Sequence, residues 1–189
     1  MELIGPYLIG CVLLVGAGVS KAARPDDTAR ALLPLVPIRR PVISFRPLRT
    51  LVRFLAAGEV VVGALGLLLP RPLTGALVGT SYIAFAVVSA YTRAHGGALA
   101  SCGCFGTPDT PATYVHVAID LALGGAALAV ALEVSTRGWL VNVLAHQPLH
   151  GLALLALTAV GAGTTYLTLS GLARLHAVRL AVATPERSR

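Results

Sequence analysis

The sequence predicts an all-α protein, a polytopic membrane bundle of four to five transmembrane helices, in a single domain over residues 1–189. Three observations predict it. First, of 189 residues 56% are hydrophobic and only 12% charged, and the mean hydropathy is +0.78. A soluble domain carries about 25% charged residues, so this chain lacks the charge to cover a water-facing surface. Second, the apolar residues gather in separate runs close to the ~17–25 residues that a helix needs to cross a bilayer. Third, the basic residues and most prolines gather between those runs. The same composition excludes intrinsic disorder, which needs low hydrophobicity and high net charge, and argues against a soluble enzyme.

The first run, residues 3–20, has Glu2 as its only early charge. A secretory signal begins with a basic segment, so this run reads as an uncleaved membrane helix, with Pro6 in the first turns where proline is tolerated. Residues 21–50 read as a basic, proline-broken surface loop carrying Lys21, Arg24, Arg30, Arg39, Arg40, Arg46 and Arg49. Within it Asp26 is placed to cap a short interfacial helix over residues 26–33. The second span, 51–69, stops at Pro70, and Pro72 sits at the first position of the third span, 73–91, as the fixed φ of proline favours. These two spans form an antiparallel hairpin.

Residues 92–110 form a loop holding His95 and the run Ser101-Cys102-Gly103-Cys104-Phe105-Gly106. Thr110-Pro111 opens the fourth span, 112–132, with a capping hydroxyl followed by proline. A polar connection follows, in which Trp139 reads as an interfacial anchor. The fifth span is 151–170, and the tail 171–189 carries Arg174, Arg179, Arg187 and Arg189. Glycines recur on the spans, among them Gly63, Gly66, Gly75, Gly79 and Gly124, and in lipid small residues let helix backbones approach closely.

The net charge of +7 comes almost wholly from arginine, with Lys21 the single lysine. Its place beside apolar spans points to anionic lipid and topology rather than to nucleic acid, and no aromatic–basic interleaving favours nucleic acid. Heavy use of Arg, Ala, Gly and Val fits a GC-rich bacterial genome.

Two sets of residues are candidates for chemistry. Cys102 and Cys104, separated by Gly103, can close a very small disulfide ring, and a ring that departs from relaxed geometry is easily reduced. That favours a thiol–disulfide exchanger; a soft-metal site for Cu(I) and a structural thiol pair are the alternatives. Three cysteines are too few for a disulfide scaffold or a four-thiolate zinc site, and no metal is expected. The second set lies inside the spans, where ionisable groups are costly and default to function or bundle interior. Glu59 and Asp120 each lie eight residues into their spans, roughly 12 Å from the same face at 1.5 Å per residue. His116 shares a helical face with Asp120, and Arg53 lies shallower. Arg53, Glu59, His116 and Asp120 are therefore expected to form one polar cluster beneath the cysteine loop, as a proton-handling group or as a structural ion pair. Cys11 reads as an inert small apolar residue, His146 and His150 as surface histidines, and Thr164, Thr165, Tyr166 and Ser170 as inter-helix hydrogen-bonding groups.

These elements, taken in order, resemble the family of the methylamine utilisation protein MauE, within the DoxX-like membrane proteins. The resemblance rests on Gly18-Val19-Ser20-Lys21, on Arg53 and Glu59 in the next span, and on Cys102-Gly103-Cys104-Phe105-Gly106 after the third. It implies a multi-pass bacterial inner-membrane protein that assists processing or maturation of a disulfide-containing client, in methylamine metabolism the small subunit of methylamine dehydrogenase. It also implies a thioredoxin-like partner of MauD type, Cys102 and Cys104 as redox thiols, and Lys21, Arg53, Glu59, Gly103, Phe105 and Gly106 as family positions. By analogy with other membrane thiol oxidases, a membrane quinone is a candidate electron acceptor. The alternative is a non-enzymatic assembly factor or a soft-metal-binding scaffold.

With five spans, one face carries twelve cations (Lys21, Arg24, Arg30, Arg39, Arg40, Arg46, Arg49, Arg93, Arg174, Arg179, Arg187 and Arg189) and the other only Arg71 and Arg137. The positive-inside rule puts the cysteine loop on the cytoplasmic face. Maturation of an exported subunit wants it on the other. The two expectations oppose each other.

Overall fold

A computed structural model describes residues 3–32, 45–94, 113–132 and 145–183 of the chain. Its main elements are α1 (Ile4–Ala23), α2 (Pro25–Leu32), α3 (Phe45–Leu68), α4 (Pro72–Ala94), α5 (Tyr114–Leu132) and α6 (Pro148–Ala183). Five of them, all but α2, contain segments long and apolar enough to cross a membrane; in α6 this is Leu149–Gly171. The protein is an all-α polytopic bundle with five candidate spans.

Helix α1 is the centre. It packs against α3, α4, α5 and α6, and Tyr7, Leu8, Cys11 and Leu14 along it are almost wholly buried. Two tight antiparallel pairs build the bundle, α1 with α3 and α4 with α5. Both pairs are close because small residues meet backbone. A Cβ on Gly18 would lie 2.7 Å from the Ala56 carbonyl oxygen, and one on Gly63 would lie 2.8 Å from that of Cys11. Tyrosines tie the helices: within the first pair the Tyr7 hydroxyl of α1 donates to the Gly66 carbonyl of α3 at 3.1 Å, and between the pairs the Tyr82 hydroxyl of α4 donates to the Gly10 carbonyl of α1 at 2.7 Å. In hydrocarbon such a donor has no water to fall back on, so each tyrosine fixes the two helices it joins.

The boundaries differ from the sequence reading in ways that bear on the site. Helix α1 runs on through Lys21 to Ala23, so Lys21 is not in a surface loop; it is 6% exposed. Helix α3 begins at Phe45, several residues before the predicted span. Pro47 does not prevent this because it lies in the first turn, where the backbone N–H has no intrahelical acceptor. The short helix α2 starts at Pro25 and lies against α3. Asp26 Oδ1 stands 2.9 Å from Arg49 Nε, and Ala29 packs with Leu48 and Val52. The α3–α4 turn is as predicted, with Pro72 at the start of α4. Thr74 organises it: its hydroxyl accepts from the Arg71 N–H at 2.9 Å and lies 2.9 Å from the carbonyls of Leu69 and Arg71.

Helix α6 leans on α1 and continues past the predicted span into the tail, to Ala183. Thr164, Thr165 and Ser170 do not bond to another helix as expected. Their hydroxyls donate to carbonyls of α6 itself, such as Thr165 to Gly161 at 2.8 Å, which satisfies a hydroxyl in lipid without a neighbour.

Candidate functional site

The residues that matter lie where α1 ends and α5 begins. Lys21, in the last turn of α1, places its Nζ 2.6 Å from Glu59 Oε1 of α3. Both side chains are nearly buried, at 8% and 12% exposure. The ammonium also lies 4.3 Å from the centroid of the Phe85 ring of α4. A desolvated ammonium against an aromatic face is stabilised by the ring quadrupole, so Phe85 completes the shell that a single carboxylate leaves open. Phe85 is held in turn by an edge-on contact with Tyr82, at 5.8 Å between centroids and 84° between planes. The second carboxylate oxygen of Glu59, Oε2, is buried and has no hydrogen-bond partner among the described residues.

On α5 the two ionisable residues lie one turn apart, and both are 7% exposed. Thr113 precedes the helix. Its backbone N–H donates to His116 Nδ1 at 3.3 Å, and its Oγ1 lies 2.8 Å from the same nitrogen. His116 thus plays the part that Glu or Gln plays in a capping box, reaching back to the cap N–H. A backbone N–H can only donate, so Nδ1 is an acceptor and the ring proton is on Nε2. Asp120 borders a narrow cleft with Leu13 and Ala17 of α1, Phe85 of α4 and Leu169 of α6. The free volume there is ≈ 10 Å³, about what one water needs.

Phe85 therefore touches two groups. Its ring meets the Lys21 ammonium of the Lys21–Glu59 pair, and it lines the cleft that Asp120 borders. Of the four residues expected to cluster, the structure places Glu59, His116 and Asp120 in the interior. Arg53 is exposed on the flank of α3, and the cation at Glu59 is Lys21. The sequence carried two signals for this: Lys21 and Glu59 both stand among the positions of the family resemblance, and Lys21 is the chain's only lysine, whose compact head on a flexible stem suits a buried point-charge contact better than a guanidinium does. Phe85 and Thr113 had no signal beyond their residue type.

Cys102, Gly103, Cys104, Phe105 and Gly106 lie outside the described residues, as do His95, Thr110 and Trp139. The chain that carries the cysteine pair joins the end of α4 to the start of α5, the two helices that contribute Phe85, His116 and Asp120. Cys11 is a fully buried free thiol that packs beside the Tyr7 hydroxyl at Gly66. His146 and His150 are exposed. No group of three or more His, Cys, Asp or Glu among the described residues has the arrangement of a metal site.

Comparison with curated proteins and with solved structures gives no match. A family model does match, and it covers α1 to α5 while leaving α6 outside. That model is "Methylamine utilisation protein MauE", it matches residues 2–133, and this chain, a multi-pass membrane protein, belongs to the MauE family.

Proposed function

We propose that the protein is a membrane thiol–disulfide redox component of the bacterial inner membrane, with Cys102 and Cys104 as the redox pair. The observation that carries this reading is the Cys102-Gly103-Cys104 element in a MauE family member, on the segment that joins α4 to α5. A client dithiol becomes a disulfide as the Cys102–Cys104 disulfide becomes a dithiol, and two electrons and two protons pass to the pair. A thioredoxin-like disulfide protein of MauD type regenerates it by accepting the same two electrons and two protons. A membrane quinone is a second acceptor of sufficient oxidising class. In methylamine metabolism the client is the disulfide-rich small subunit of methylamine dehydrogenase.

The buried polar groups that support this chemistry lie on α5, the helix that follows the cysteine segment in the chain. His116, with Nδ1 occupied by the Thr113 N–H, keeps one ring N–H to offer. Asp120 supplies a carboxyl one turn deeper, so the start of α5 can hold or release a proton as the thiols change state. Lys21 and Glu59 hold α1 to α3 beside it.

The test is dependence on the thiols. Cys102→Ser and Cys104→Ser each abolish client oxidation, read as accumulation of reduced client on thiol-labelling gels. Full client oxidation with either serine variant would leave a scaffold role in place of a redox one. Stoichiometric copper on the purified protein that is lost after thiol blocking would favour soft-metal binding instead.

A further inference from the structure

We propose that the flank of α3 formed by Arg46, Arg49 and Arg53 binds the headgroup of an anionic phospholipid. The three arginines follow an i, i+3, i+7 pattern, which places them along one side of a helix. They extend over roughly 10 Å of axis at 1.5 Å per residue. Arg46 and Arg53 are exposed, and the Arg49 side chain is 43% exposed.

No carboxylate of α1–α3 is left over to neutralise Arg46 and Arg53. The carboxylates of these helices are Asp26, Asp27 and Glu59. Each already faces a cation: Asp26 faces Arg49, Asp27 faces Arg30 at 3.8 Å, and Glu59 faces Lys21. No carboxylate among the described residues pairs with Arg46 or Arg53. The Asp26 contact also fixes the middle arginine in place, and a guanidinium with one side engaged still has further N–H donors.

The surroundings choose the kind of anion. Leu51, Phe54 and Leu55 are 52%, 73% and 53% exposed, so Arg53 stands among side chains that face lipid. A cation at that level reaches up to the headgroup layer, and the planar fork of arginine matches phosphate oxygens in pairs. A soluble anion would not meet that apolar rim. The site is independent of the redox reading, since it lies on the outer side of α3 and uses no thiol.

The probe is phosphatidylglycerol against phosphatidylcholine of identical acyl chains, present in equal amounts in the micelle and counted on the full-length protein by native mass spectrometry. Wild-type protein is expected to retain phosphatidylglycerol in preference. The R46Q/R53Q double variant is expected to lose that preference by about 30-fold, the equivalent of ~1 kcal/mol for each arginine. R71Q, in the α3–α4 turn beyond the far end of α3, is expected to keep it. Retention by R46Q/R53Q at the wild-type ratio would overturn the proposal, and so would an equal loss in R71Q, which would mean bulk charge alone. Should the double variant not fold, the wild type decides: its melting temperature rises with added phosphatidylglycerol and not with phosphatidylcholine, and equal responses would overturn the site.

Discussion

Lys21 and Glu59, thirty-eight positions apart in sequence, meet at 2.6 Å inside the bundle. Their helices can come together this way because Gly18, one turn before Lys21, offers no side chain to α3. At that crossing Ala56 and Val60 of α3 lie against bare backbone. The small residue and the ion pair are one construction. The first permits the approach, and the second fixes which turn of α3 stands beside the end of α1.

Breaking this pair on one side strands a buried charge. Lys21→Met and Glu59→Gln are each expected to destabilise the protein by ~3–5 kcal/mol, the usual cost of leaving one partner of a buried pair. The double variant K21M/E59Q should cost much less than the sum, since neither charge is then left behind. Denaturant unfolding in detergent reads the cycle. Additive losses would mean that the two residues do not stabilise each other.

Glycine substitutions separate contact from propensity. A Cβ on Gly18 meets backbone at 2.7 Å, a Cβ on Gly79 meets the Leu128 side chain at 2.7 Å, and a Cβ on Gly16 meets nothing within 4 Å. Backbone cannot step aside, whereas the Leu128 side chain at Gly79 has some room to turn, with the Gly124 carbonyl oxygen standing further off at 3.2 Å. Gly18→Ala is therefore expected to cost about 1–3 kcal/mol, in the range of overpacked cores, and Gly79→Ala less. Gly16→Ala should be neutral or stabilising by up to ~1 kcal/mol, from helix propensity. Melting temperatures in one detergent give the order, and a Gly16→Ala loss as large as that of Gly18→Ala would refute the crossing geometry.

At the start of α5, removing the His116 ring leaves the Thr113 N–H without its acceptor. His116→Ala is expected to cost about 1–3 kcal/mol, the desolvation penalty of an unsatisfied group. His116→Gln can place an acceptor in the same position, as glutamine does in a capping box, and should recover most of the loss. If His116 also handles protons, His116→Gln restores stability without restoring the rate of client oxidation, and the two readouts part.

Much of this was legible in the sequence, and the residues show why. The spans were readable because hydropathy over a long run depends on composition and needs no knowledge of neighbours. Pro72 was readable because proline acts locally through φ. The ends of α1 and α3 were not, since a lysine or a proline reads as a boundary when only local chemistry is considered. Lys21 stays helical and buried because Glu59 and Phe85 are there, and these are distant in the chain. Pro47 stays helical because of its place in the first turn. Depth counting put Glu59 and Asp120 near one another's level without their rotation about the helix axes. Rotation is what turned Arg53 outward, and no periodicity specifies it when every face of a membrane helix is apolar.

Orientation is the prediction on which the cellular role turns. The structure adds one correction to the charge count: Lys21 is buried and paired, so it contributes little to the juxtamembrane charge. Arg24, Arg30, Arg46 and Arg93 remain exposed on the cysteine-loop side, against Arg71 among the described residues of the other. The positive-inside rule counts such residues close to the span ends, so the expected result is a cytoplasmic cysteine loop. Intact cells expressing a Cys11→Ala background are treated with a membrane-impermeant maleimide, with and without prior reduction. No labelling until the cells are opened, and then only after reduction, is the expected outcome and means a disulfide on the inner face. Labelling of intact cells only after reduction would put the pair outside, where an exported client is matured, and would make this chain an exception to the charge rule. Thiols that react without reduction on either side would count against a resting disulfide and favour the soft-metal or structural role of Cys102 and Cys104.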